Sequence, residues 1–421
     1  MYRPILLLAG LLAAGQSPAA IDEREVISHY ADLAEAKYAD SLTAARGLQR
    51  VVDTLVATPS PTTLEAARAA WKAARAPYQQ TEVFRFGNPV VDAWEGKVNA
   101  WPLDEGLIDY VEMGRIGGNP DENPLFEANV IANPRLTIAG HEIDASVIDR
   151  ALIVEVLHEA DGVETNVARG FHAVEFLLWG QDLNGTGPGA GQRPATDFDP
   201  ENCTGGHCER RAAYLKAATD LLVDDLAWML EQWGQGGDAR RALLETSPRD
   251  GLAAILTGMG SLSYGELAGE RMKLGLLLHD PEEEPDCFSD NTHNAHFNDV
   301  VGIRDIYLGR HTGPDGRALS GPALSDLVAA SDPAADRLLR GRLDDTLARM
   351  QVLVDSAERD GVAYDQLIAA GNADGNAKVQ AAIDALVAQT RAIEGAIAAL
   401  GLSNVTLEGS DSLGEPAKLG Q

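Results

Sequence analysis

Gly170–Phe171–His172–Ala173–Val174–Glu175–Phe176–Leu177–Leu178–Trp179 sets a histidine and a carboxylate three residues apart. On a helix, positions i and i+3 share a face, so both side chains can reach one point. Phe171, Val174 and Leu178 form the stripe beside the pair, and Phe176 flanks its other side. Framed by apolar groups, the pair is expected to sit partly away from water. A buried carboxylate is costly unless a cation, a donor or a metal ion answers it. Two readings follow from the residues: a His–Glu hydrogen bond inside a bundle, or two ligands of a metal ion.

Helical bundles place metal ligands on facing helices, and a Glu with a His at i, i+3 is one way to do it. Further ligands must then come from other helices. Glu82, in Gln80-Thr-Glu-Val-Phe-Arg-Phe, and Asp104, in Trp101-Pro-Leu-Asp, are the candidates. The plainer reading of each is a surface or arginine-paired carboxylate, with Arg85 close to Glu82. A second constellation lies later. Glu266 and Glu270 fall on one α-helical face, followed by Asp290, His293, His296 and Asp299. An accessory metal or anion site there competes with a helix start capped by Asp290. The zincin pattern is missing, since His158-Glu159 has no histidine four residues on. Nucleophile-elbow, Ser-x-x-Lys, P-loop and dinucleotide patterns are missing too. The chain offers ligand-type residues without a clear nucleophile.

The elements that position these groups read as helices. Alanine and leucine dominate, and alternating strand patterns are nearly absent. Asp22–Ala57 reads as a long helix with Val26, Tyr30, Leu33 and Lys37 at helical spacing. A second helix follows Thr58-Pro-Ser-Pro61, with Leu64, Ala67, Trp71 and Ala74 inside, and is expected to run to about Phe86. From Asn88 to Pro134 the pattern breaks into an irregular insert with a short helical piece after Trp101. Further helices are expected within Ile143–His158 and over Glu164–Trp179, Glu209–Trp233, Arg240–Leu256, Gly260–Leu278, Thr292–Leu308, Asp332–Ala357, Tyr364–Ala370 and Ala373–Leu400. Length and punctuation suggest an all-α protein of two helical bundles. The expected division is 21–237, 238–402 and a frayed tail over 403–421.

Arg3, the apolar run Ile5–Ala14 and Ser17-Pro-Ala-Ala20 read as a secretory signal peptide over residues 1–20. That run is too short for a permanent span, and no later run is long and apolar enough. A soluble periplasmic protein is expected. The net charge of −30 argues against nucleic acid and anionic membrane surfaces as partners. Export permits disulfides among Cys203, Cys208 and Cys287. Cys203-Thr-Gly-Gly-His-Cys208 can close locally or form a Cys/His metal knuckle with His207. Cys287 is then a buried thiol or a partner of one of the other two.

Taken together, these residues look familiar. Gly170-Phe-His172-Ala-Val-Glu175, followed by Phe-Leu-Leu-Trp-Gly-Gln-Asp-Leu-Asn-Gly, resembles the G-x-H-x-x-E signature of the imelysin family, in its iron-regulated protein A-like branch. Pro77–Asn88, Trp101–Tyr110, Gly269–Lys273 and Cys287–His293 resemble that branch as well. The resemblance implies an all-α fold of two bundles with the signature between or beside them. It implies an exported bacterial protein in iron uptake, with outer-membrane or periplasmic uptake components as partners. His172 and Glu175 match the signature, and Glu82 and Asp104 match acidic positions. The implied ion is iron, with zinc or copper as alternatives. The family name also implies an alternative, an insulin-cleaving metallopeptidase using the same pair. A histidine ligand implies metal affinity that falls as pH drops from roughly 6.5 to 5.

Overall fold

The computed structural model describes residues 21–112 and 125–414. The expected signal peptide lies outside the described residues, as do 113–124 of the insert and 415–421 of the tail. The fold is all-α, with two small antiparallel hairpins, Arg135–Ile138 with His141–Asp144 and Arg310–Thr312 with Ala318–Ser320.

The first helix, Glu23–Ala57, starts where Asp22 accepts a hydrogen bond from the Arg24 N–H. It buries Val26, Tyr30, Leu33 and even Lys37. Burial lowers the Lys37 pKa, and hydrogen bonds to Gln80 Oε1, Asp305 Oδ2 and His311 Nδ1 answer its buried amine. The second helix, Pro61–Gln79, opens on a capping box between Ser60 and Thr63. It stops seven residues before the expected end at Phe86. Pro77 lies inside its last turn and cannot donate to the ladder, and Glu82–Phe84 forms a separate 3₁₀ turn. The insert also holds a helix that its sequence did not suggest, Pro89–Asn99, capped by Asn88.

These helices pack with Gly170–Trp179 and Cys208–Trp233 around one large apolar core. That core continues through Leu252, Ile303, Leu339 and Ile393. A second, smaller core joins the segments 262–273, 292–308, 333–358 and 373–399 through Leu267, Met272, Val300, Leu353 and Ile383.

Leu262–Lys273 is a π-helical stretch, not an α-helix. Wider turns bring i and i+5 together. Arg271 therefore pairs with Glu266 across five residues, at 2.9 Å, while Glu270 faces solvent. The expected shared face of Glu266 and Glu270 belonged to a helix of the wrong pitch. The stretch also carries Gly265 and Gly269, where an added Cβ would lie 2.9 Å from Glu408 O and 2.2 Å from Ser410 Cβ. Residues 403–414, expected to be frayed, run along this glycine face. Ser412 is buried and donates to Gly269 O at 3.0 Å.

Cys203 and Cys208 form a disulfide, and Cys287 is a buried free thiol. Both thiols of the possible Cys/His knuckle are thus consumed, which removes it as a metal site.

Candidate metal centre

Gly170–Trp179 is buried all round, as a helix inside a bundle must be when its sequence is apolar on every face. It begins six residues later than the expected start at Glu164. Gly170 has φ of 85°, and a Cβ there would stand 2.6 Å from the Val98 carbonyl oxygen. The glycine of the motif thus allows the helix to start hard against Pro89–Asn99, and that contact fixes the height of His172 and Glu175.

His172 and Glu175 are both fully buried and bonded to each other, Nδ1 to Oε2, at 3.0 Å. Glu175 Oε1 accepts from the Ser289 N–H at 3.0 Å and from the Ser289 hydroxyl at 2.6 Å. Asp286 completes a trio. Its ligand atom and those of His172 and Glu175 lie within 4.8 Å of one another. No other three His, Cys, Asp or Glu among the described residues come so close. Asp286 Oδ2 accepts from Asn291 at 2.9 Å.

A buried arginine reaches into this group. Arg75 Nε donates to Asp286 Oδ1 at 2.9 Å, and Nη2 donates to His172 Nε2 at 3.2 Å. Because a guanidinium can only donate, Nε2 is the acceptor and Nδ1 carries the hydrogen. Glu175 Oε2 then accepts from Nδ1, so the network calls for ionised Glu175. Burial works against that charge and pushes the carboxyl up from its ordinary pKa. Asp286 adds to the rise, whereas Ser289 and Arg75 oppose it. Burial, with Arg75 and Arg271 nearby, holds His172 well below the usual histidine range. The imidazole therefore takes up its proton at lower pH than an ordinary histidine would.

The other expected ligands are elsewhere. Glu82 accepts from Arg271 Nη2 at 2.8 Å in an ion-paired group with Glu266 and Asp299. Asp104 is buried just before the short helix Glu105–Ile108, where burial pushes its pKa up to about 6. Neither joins the trio. Their residue types fit a metal, but their backbones place them around different neighbours. The second constellation also separates. His293 pairs with Glu358 at 3.1 Å, and His296 packs edge-on against Tyr364 at 5.1 Å. Asp290 has φ of 52° and makes no cap; Asn291 precedes the helix Thr292–Leu308.

Asp286, Arg75 and Ser289 were not visible as site residues. Asp286 ends the acidic run Asp280-Pro-Glu-Glu-Glu-Pro-Asp286 and directly precedes the matching stretch Cys287–His293, which contains Ser289.

A cleft of ≈ 640 Å³ reaches His172 between Arg85, Glu95, Asn99, Glu266 and Arg271. Burial pushes Glu95 up to about 7, aided by Glu82 and opposed by Arg85. Asn99 joins the cleft to the trio. Its Oδ1 accepts from Arg75 Nη1, and its Nδ2 donates to Glu95 Oε1 at 2.9 Å.

Beyond the trio, Asp365 is 1% exposed and neither carboxylate oxygen has a hydrogen-bond partner. Burial, with Asp290 nearby, pushes it up to about 7. An acid whose folded pKa is raised keeps its proton while the unfolded chain loses it. Stability at this position is therefore greatest near pH 4 and falls as pH rises to about 7. Asp365→Asn should raise the thermal midpoint at pH 8 and do little near pH 4. An equal gain at both pH values would show that the charge is not the cause.

The family model described as Imelysin (Peptidase_M75) matches residues 34–393. Iron-regulated protein A of Synechococcus elongatus is 31% identical over 124 residues, covering 28% of this chain and 35% of that protein. The match thus spans little more than a third of the relative's length. Two solved structures share the fold at 18% identity. An iron-regulated protein A precursor from Parabacteroides distasonis ATCC 8503 superposes with a TM-score of 0.64, covering 92% of this chain and 97% of that one. An imelysin-like protein from Psychrobacter arcticum 273-4 gives 0.57, covering 91% and 98%. With its family match running through nearly all the described helices, the chain belongs to the imelysin family.

Proposed function

We propose that this protein binds a metal ion through His172, Glu175 and Asp286 and serves iron uptake as an exported, periplasmic protein. The observation that carries the reading is the trio: one imidazole and two carboxylates, buried and within 4.8 Å of one another. Their donor types suit iron, zinc or copper. The names of the relatives, iron-regulated protein A, favour iron. Export rests on the expected leader. Among the described residues, no helix is long and apolar enough to cross a membrane. Partners would be outer-membrane or periplasmic components that deliver or receive the ion.

The protein's own residues hold this site ready. Ser289 fixes one Glu175 oxygen, Asn291 fixes one Asp286 oxygen, and Glu175 orients the imidazole. A metallopeptidase needs a carboxylate free to act as base and an open water position. All six polar side-chain atoms of the trio already have hydrogen-bond partners. No carboxylate oxygen of the trio is then free to act as base, which speaks against the peptidase reading.

The test is elemental analysis of the protein from its own periplasm, with calorimetric titration of the metal-free chain by Fe²⁺, Zn²⁺ and Cu²⁺. One ion per chain, removable by a chelator, is the expected result. Absence of binding for all three would overturn the reading.

A further inference from the structure

The candidate centre already contains a cation. Arg75 is fully buried, packed over the rings of Tyr78 and Phe171 at 5.6 and 5.2 Å. Its guanidinium is the positive charge set against Glu175 and Asp286 inside the trio's surroundings. It holds two of the three ligand groups, Asp286 Oδ1 through Nε and His172 Nε2 through Nη2. A metal ion taking those same atoms meets this arginine as a direct competitor. The remaining imidazole nitrogen is held by Glu175.

The third part of the guanidinium points elsewhere. Nη1 donates to Asn99, Asn99 donates to Glu95, and both residues line the cleft that reaches His172. The cleft gives room on that side of the arginine, and Glu95 gives a carboxylate there.

Resting on the metal reading above, we infer that Arg75 is a resident cation that exchanges with the metal. The ion takes His172 Nε2 and Asp286 Oδ1, and the guanidinium withdraws along Asn99 toward Glu95. The device keeps the buried Asp286 carboxylate paired with a cation in the metal-free protein. It also makes the affinity lower than the ligand set alone would give, because the binding-competent arrangement is only a fraction of the population.

The test is calorimetric titration of the full chain with Zn²⁺, together with thermal unfolding with and without Zn²⁺. Arg75→Gln removes the competing charge and should tighten Zn²⁺ binding by at least about tenfold. Its metal-free thermal midpoint should fall, and Zn²⁺ should restore more of it than in wild type. Arg75→Lys keeps the charge and should stay close to wild-type affinity. Glu95→Gln removes the receiving carboxylate and should weaken binding while leaving the trio untouched. If Arg75→Gln does not tighten binding although His172→Ala still abolishes it, the exchange is wrong and the metal site stands. If His172→Ala binds Zn²⁺ as wild type does, the metal reading itself fails. Should Arg75→Gln not fold, Glu95→Gln decides: unchanged affinity there overturns the exchange.

Discussion

Replacing His172 with alanine should abolish metal binding at this centre while the helices stay folded. His172 is the only nitrogen donor in the trio, and it stands between the Glu175 carboxylate and the Arg75 guanidinium. Its loss leaves two carboxylates, one of them already engaged by Arg75, which is too few donors to hold an ion tightly. Changes to groups that merely orient a ligand cost about 10–100-fold in affinity, so loss of a ligand should exceed about 100-fold. The fold should survive. The helix around His172 is held by Phe171, Val174, Phe176, Leu177 and Leu178, all fully buried. Unpairing Glu175 Oε2 and Arg75 Nη2 should cost about 1–3 kcal/mol each. Metal affinity by calorimetry and helicity by circular dichroism separate the two effects. Unchanged affinity with unchanged helicity would remove His172 from the site.

That residue was legible because its partner is three positions away on one helix. Periodicity shows such a pair directly, and Glu175 sits where it points. Asp286 and Arg75 are bonded across 211 residues, and no local pattern records that meeting. Similar reasoning explains the elements. Glu23–Ala57, capped by Asp22, and Thr292–Leu308, ended by Gly309, are legible to within a residue because end signals and apolar spacing agree. Glu82 was misplaced because its aromatic neighbours continue a helical spacing past Pro77, while the backbone turns 3₁₀ there. The π-helical stretch was misread for a subtler reason. Its composition is that of any helix, and only the partner of Arg271 reveals the pitch. Two hairpins of four and three residues per strand are too short for alternation to stand out. The metal-site hypothesis thus starts from a local motif and is completed by a residue that only the fold supplies.

In the metal-free protein, Asp286→Ala should cause a loss of stability far larger than any surface ion pair would give. Arg75 and Asp286 form an ion pair in which neither side chain has any exposed surface. Removing one partner leaves a buried, always-charged guanidinium without its counter-charge, which costs about 3–5 kcal/mol. Asp286→Asn should cost less, because the amide oxygen can still accept from Arg75 Nε. Arg317 and Asp315 provide the control, since they are paired at 2.6 Å with side chains 88% and 50% exposed. Asp315→Ala should cost far less in the same assay, as expected of a solvent-screened pair. A double change to apolar groups of similar size, Arg75→Met with Asp286→Leu, should recover much of the loss, because the cost lies in the unpaired charge rather than in the missing attraction. The measurement is urea unfolding of chelator-treated protein at neutral pH. If Asp286→Ala costs no more than Asp315→Ala, water reaches Arg75, and the pair is not the dry cation–carboxylate unit on which a metal would have to act.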